Sequence, residues 1–308
     1  MKLYRMFLKP APQAPYTIKD VVSFCLDNNV LAYGWSGLYN NNKGINIEST
    51  LDLLEASKSN KGKPNKVLKQ FLNLKQNDLV WIKDLYGIFY ICRVLEAPKC
   101  NCIENLDISS TVSVELHKVG TSIPGAIFHR FYRKNSPTIE RINDDEMVLY
   151  SQSVFNTLST LYRYEIKENV QLNLWKLLNG FDLEELVLDY IQLKYDYYLS
   201  KNSVAPRDNT ANIECELFPR RGGEKYSSAV VQVKHSEQSQ AFIEDYKKYV
   251  ENGQKVFLLL GDRDYPQDVD GIEFIRKEDI FSFLTKHKEL FPESIQRWFD
   301  ISSLNRAY

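Results

Sequence analysis

A chain of 308 residues is long enough for two ordinary domains, each with its own core, since domains commonly run to roughly 100–200 residues. Hydrophobic residues make up 44% and charged ones 26%, which excludes an intrinsically disordered chain. No apolar run approaches the roughly 18 residues that span a bilayer. The opening MKLYRMFLKPAPQAP has Lys9, Pro10 and Pro12 where a secretory signal would need its apolar stretch, so a cytoplasmic location is expected. The net charge of −1 hides an asymmetry. Residues 1–150 carry 19 Lys and Arg against 15 Asp and Glu, whereas residues 151–308 carry 20 against 25. The basic excess gathers at Lys58, Lys61, Lys63, Lys66 and Lys69, and again at His129, Arg130, Arg133 and Lys134, positions that could touch phosphates. Of the five cysteines, Cys100 and Cys102 form a close pair with no second pair to complete a zinc site, so thiol or zinc chemistry is not expected.

In chain order, Ile18–Asn28 and Thr50–Ser57 have helical spacing, and Asn60–Lys66 has loop composition. Asn77–Val94 contains two β-rich runs separated by a turn at Asp84–Gly87, a hairpin signal. Ser113–Lys118 and Ala126–Tyr132 read as strands, with Pro124-Gly125 as a turn. These elements predict a small α+β or barrel-like domain over residues 1–150.

From about Asp144 the pattern turns helical, at Gln152–Tyr164, Leu172–Leu178 and most clearly Asp182–Tyr198. There Leu183, Leu186, Val187, Tyr190 and Ile191 form one apolar stripe. Strands are expected at Ile213–Phe218, Ser228–Lys234, Lys255–Leu260 and Ile272–Ile275, and helices at Gln240–Glu251 and Glu278–Lys288. The aromatic series from Phe281 to Trp298 reads as the closing core of this second domain, residues 151–308. The order helix, strand, strand, helix, strand predicts an α/β core.

The chemistry-bearing segment is NIECELFPRRGGEKYSSAVVQVKHS, residues 212–236. Two strands joined by a tight turn would bring Glu214 close to Gln232 and Lys234. Strand alternation puts Gln232 and Lys234 on one face, with Val233 turned away. A carboxylate with neighbouring oxygen donors, including the Val233 carbonyl, can hold Mg²⁺, and Lys234 can orient an attacking water. A further carboxylate is expected from the preceding helix. At about 100° per residue, Glu184 lies beside the apolar stripe and Glu185 points away. Glu216 is the reserve on the Glu214 strand.

The pattern FDLEELVLDYIQ, then Ser203 and Thr210 leading to Ile213-Glu214, then AVVQVK, resembles the Mrr-like restriction endonucleases of the PD-(D/E)XK superfamily, over residues 175–262. The resemblance implies a restriction-endonuclease-like core, a mixed sheet flanked by helices. It also implies Mg²⁺-dependent DNA cleavage, with Mn²⁺ as a substitute metal. Glu214, Gln232 and Lys234 would be the catalytic set, with Glu184 beside them. Glu214 stands where the superfamily usually has Asp, and Gln232 where it usually has Glu. Residues 1–150, through YGWSG at 33–37, DLVWIKDLYGIFYICRV and VGTSIPGAIFHRFYRK, resemble a PUA-like barrel domain of the EVE type. That implies a reader of modified bases, with Tyr33, Trp35 and Trp81 as the aromatic residues to stack a base. Lys61, Lys63, Arg130 and Arg133 would contact the DNA backbone. Together the two resemblances imply a modification-dependent, type IV-like restriction enzyme in anti-phage defence, sensing for example modified cytosine. Cutting both strands would call for a homodimer. The alternative is a non-catalytic or RNA-directed binding protein with a degenerate nuclease core.

Overall fold

The computed structural model describes residues 1–8, 17–34, 63–166, 173–202, 215–221, 225–234, 243–260 and 269–304. It is a mixed α/β protein with two sheets. Its contacts divide the chain into two units, Met1–Leu177 with Glu293–Tyr308, and Leu178–Pro292.

In the first unit, α1 (Ile18–Asn28) has the predicted bounds. Thr17 and Asp20 form a capping box at its start, and Asn29 takes a left-handed conformation at its end, which satisfies orphan backbone groups at both termini. The strands are β1 (Leu3–Met6), β2 (Val30–Gly34), β3 (Leu79–Lys83), β4 (Phe89–Val94), β5 (Lys99–Ile103), β6 (Ile108–Gly120) and β7 (Ile139–Ile142). They form one sheet in the order β2-β6-β4-β3-β1-β7, with β5 also on β6. The β1–β3 pair is parallel, and the others are antiparallel. The predicted hairpin is β3–β4. Asp84 shapes its turn by accepting the N–H groups of Tyr86 and Ile88, and Gly87 supplies the positive φ of 80°.

Alternation divides this sheet into two faces. Tyr4, Met6, Val80, Ile82, Cys92 and Val94 pack with α1 and with Leu68, Phe71 and Leu72 of α2 (Lys63–Leu72). Arg5, Trp81, Phe89 and Arg93 point to the other face. There Phe89 meets Phe128 and Phe131 of α3 (Gly125–Tyr132), and Trp81 meets Ser151 of α4 (Asp145–Leu158).

Three expectations are corrected here. Ala126–Tyr132 is helical: Ile127 and Phe131, four residues apart, are both buried, so the governing period is that of a helix. Lys63–Lys66, expected in a loop, opens α2, where Pro64 sits in the first turn and costs no hydrogen bond. The predicted domain break near residue 150 falls inside α4, which the Trp81–Ser151 bond ties to the first unit. The chain also returns to that unit through α9 (Glu293–Leu304). Arg297 of α9 donates to the carbonyls of Val119 and Ser122, so Trp298 belongs with the first unit while Phe281, Phe283 and Phe291 belong with the second. The single-turn α5 (Leu174–Leu177) closes the first segment. Thr50–Ser57 lies outside the described residues.

In the second unit, α6 (Gly180–Lys194) starts on a capping box of Asn179 and Asp182. Leu183, Leu186, Val187, Tyr190 and Ile191 are all buried, as the stripe predicts. The helix ends earlier than expected because Asp196 adopts a positive φ of 58° and Tyr197 begins the next strand. That strand is β8 (Tyr197–Asn202), followed by β9 (Cys215–Pro219), β10 (Ser228–Val233), β11 (Gln254–Leu259) and β12 (Ile272–Phe274). Their order is β12-β11-β10-β9-β8, with β10, β11 and β12 parallel and β8, β9 and β10 antiparallel. Val230, Val256, Leu258 and Ile272 pack against Tyr246 of α7 (Glu244–Glu251). On the opposite face Phe257 packs against Tyr195 and Tyr197, and Tyr190 meets Phe283 of α8 (Lys277–Lys286).

Candidate active site at the end of the central strand

All six residues of β10 are buried, as expected of a β-branched run covered on both faces and flanked by strands on both edges. Alternation carries the Val230 face, the one against α7, on to Gln232 and Lys234, with Val231 and Val233 on the other. This is the arrangement the sequence predicts. Gln232 is 1% exposed, and its Nε2 donates to the Val233 carbonyl at 3.2 Å. Lys234 is half-buried just past the strand, where its N–H donates to the Leu259 carbonyl at 2.8 Å and prolongs the ladder to β11. A neutral amide can be buried at this depth without a counter-ion, which a carboxylate could not.

Helix α6 brings Glu184 toward the same end of the sheet. The Leu199 N–H donates to Gln192 Oε1 at 3.1 Å, so the helix runs back along β8. Its first turns therefore lie toward the end where β8 finishes, β9 begins and β10 finishes. Glu184 is half-buried and Glu185 exposed, in line with the angular argument. Asp189, which sequence reasoning passed over, is held above the ordinary carboxyl range by burial and by the nearby charge of Glu185. Glu216 lies opposite Val230 and accepts from Gln254 Nε2 at 3.5 Å. Gln254 pairs with Ser228 at the start of β10, so the reserve carboxylate is tied to the far end of the strand from Lys234. Glu214, Ser203 and Thr210 lie outside the described residues.

The Gln232 amide oxygen, the Val233 carbonyl and the Glu184 carboxylate are hard oxygen donors and fit Mg²⁺ in kind. Helix α6 packs on the Phe257 face, however, while Gln232 turns to the α7 face, so sharing an end of the sheet does not by itself bring Glu184 to Gln232. Among the described residues there is no group of three or more His, Cys, Asp or Glu side chains placed to hold a metal ion, so a full ligand set would have to draw on Glu214.

The expected base readers are placed differently. Trp81 is 0% exposed and its Nε1 donates to Ser151 Oγ at 2.9 Å, so neither ring face is open to a base. Tyr33 is buried against Phe71 at 5.6 Å, and burial pushes its hydroxyl up to about 12. Both are core residues, as large aromatic side chains on strands commonly are. Trp35 and Lys61 lie outside the described residues, as does the side chain of Lys63. Arg130 and Arg133 both donate to Glu140, so their guanidiniums are engaged internally. Among the described residues of the first unit, the exposed rings are Tyr86, Tyr132 and Phe128. The four-residue spacing of Phe128 and Tyr132 was the signal for the last two, had that segment been read as a helix.

Comparison of the chain with models of known protein families, with curated proteins and with solved structures finds no match. Among the described residues no helix is long and apolar enough to cross a membrane.

Proposed function

We propose that the chain is a Mg²⁺-dependent DNA endonuclease of the Mrr-like PD-(D/E)XK kind, with a PUA-like N-terminal reader that makes cleavage depend on base modification. It would work in the cytoplasm against foreign DNA. The observation that carries this reading is the pairing of a buried Gln232 with a half-buried Lys234 on one face at the end of the central strand. Bound there, Mg²⁺ would lower the pKa of a water and polarise the phosphoryl group. Lys234 would orient the attacking oxygen and offset charge developing on the phosphate. The Gln232 amide, held by its Nε2 bond to the Val233 carbonyl, would turn its oxygen to the metal.

Cleavage of modified and unmodified plasmid with Mg²⁺ or Mn²⁺, wild type beside Lys234→Ala, tests this. Cutting of modified DNA alone, lost in the variant, is the expected result. Indiscriminate cutting lost in the variant keeps the nuclease and discards the reader. One observation favours a second reading, a non-catalytic or RNA-directed binding protein: Gln232 is neutral where a second carboxylate would strengthen a Mg²⁺ site. Binding of DNA or RNA with no cutting of either would establish it.

A further inference from the structure

We propose that the outer face of α3 and the neighbouring β3–β4 hairpin form a stacking platform for single-stranded DNA. Unstacked bases would lie against the Phe128–Tyr132 pair, and the adjoining phosphates would meet Lys83, Arg133 and Lys134. The proposal rests on the nucleic-acid reading above and gives it a recognition surface. Phe128 is 39% exposed and Tyr132 53%, and their rings are stacked, with centroids 4.4 Å apart and planes at 25°. Ile127 and Phe131 bury the inner face of the same helix, so this outer pair is not needed to hold α3 down. Phe89 braces Phe128 from the sheet at 5.9 Å, which fixes the platform on a rigid strand. Tyr86, 81% exposed, offers a further ring at the tip of the hairpin that carries Lys83.

The charge around these rings matches a polyanion. The Lys83 ammonium lies 4.1 Å from the centroid of the Tyr132 ring, where it covers a surface on which a base would stack. A base taking that place would free the ammonium for a phosphate. Arg5, Arg130 and Arg133 share the single carboxylate of Glu140, which leaves the cluster positive. His129 and Lys134 are exposed beside it. The nearby acid, Asp84, is occupied by the Tyr86 and Ile88 N–H groups. Cations near a helix C-terminus are favourable in themselves, but that does not account for two stacked rings left in water. Aromatic faces set in a basic rim are what sequence-tolerant binding of single strands uses.

The test measures anisotropy of a labelled short oligodeoxythymidine with the full chain. EDTA is present throughout, so that binding is read without cleavage. Tyr132→Ala should weaken binding about 10-fold or more, and Tyr132→Phe should stay within about twofold, because stacking needs the ring and not the hydroxyl. Arg133→Gln should reduce the slope of log K against log salt by about 0.7, one single-strand phosphate contact. Thermal melts establish that each variant is folded. Wild-type affinity in folded Tyr132→Ala would overturn the proposal. So would equal losses in Tyr132→Ala and Tyr132→Phe, tighter binding of a duplex of the same length, or binding of anionic vesicles but not of the oligonucleotide. Plasmid cutting without oligonucleotide binding removes the platform and leaves the nuclease reading. Oligonucleotide binding lost in Tyr132→Ala, without cutting, removes the nuclease and leaves the platform.

Discussion

On the outer face of the seven-stranded sheet, charge is consumed inside the fold. Arg93 donates through Nε and Nη2 to Glu115 at 2.9 and 2.6 Å, reaches Asn77 through Nη1, and lies over the Tyr162 ring. Glu115 also takes the Ser159 hydroxyl and pairs with His117. Arg5, 0% exposed, is neutralised by Glu140 on the neighbouring strand. In the five-stranded sheet the contrast lies in the middle, since Lys255 of β11 still pairs with Glu273 of β12. The sheet's central strand buries Ala229, Val230 and Val231 before Gln232, and the first charged side chain, Lys234, comes only after the strand has ended. A basic residue in the first sheet is therefore part of the fold until shown otherwise. At the end of the second sheet, Lys234 is half-buried, and its backbone N–H is what continues the ladder.

The sharpest way to break that comparison is Lys234→Ala. If Lys234 serves chemistry alone, cleavage should fall by about 100-fold or more while stability changes by no more than about 0.5 kcal/mol. Plasmid cutting and urea denaturation on one preparation measure both. A large loss of stability would make Lys234 a structural residue like Arg93.

Trp81→Ala is the converse. Removing a fully buried indole that also donates to Ser151 should lower unfolding free energy by about 3–5 kcal/mol. A loss below about 1 kcal/mol would mean that the ring is not a core member, and would return it to the candidates for base reading.

Glu115 sharpens the comparison through pH. Burial alone would raise its carboxyl, but hydrogen bonds from Ser159, His117 and Arg93 outweigh burial and hold it below the ordinary range. Because the folded value is the lower one, its contribution is complete above the unfolded pKa, about 4.3. It is lost as pH falls through the folded value. Glu115→Gln should flatten that acid limb and remove about 3–5 kcal/mol near neutrality, the usual effect of stranding a buried partner. Urea midpoints across acidic pH would show it, and an unchanged acid limb would refute the assignment.

What the sequence made legible follows the range of the interactions involved. The bounds of α1, the β3–β4 hairpin, the stripe of α6 and the strand that ends at Gln232 and Val233 are local patterns, and each was readable. Strands β1 and β7 are four residues each and exist because they pair with each other across the chain, so no window of sequence displays them. Helix α3 was misread because Ile, Phe and Tyr favour strands, and that composition outweighed the four-residue spacing of Ile127 and Phe131. The same limit governed function. Trp81 could not be told from a reader because Ser151 lies 70 residues away. Arg130 and Arg133 read as phosphate ligands although Glu140 sits within 10 residues, because a charge cluster does not reveal its own pairing.

The smallest expected effect decides most about that cluster. The Arg133 side chain is 47% exposed, so its bond to Glu140 should be worth no more than about 1 kcal/mol. The carboxylate also keeps Arg5 and Arg130 when Arg133 is gone. Arg133→Gln should therefore leave the melting transition nearly unmoved while lowering the salt dependence of oligonucleotide binding. Such a result would show that a guanidinium paired in the folded chain is still available to a phosphate, because the pair is wet and the carboxylate has other partners. A loss of several kcal/mol would show instead that all three arginines are needed to hold β7 against β1. The basic excess of the first unit would then be spent on the fold, and a phosphate-binding surface would have to be sought at residues other than these.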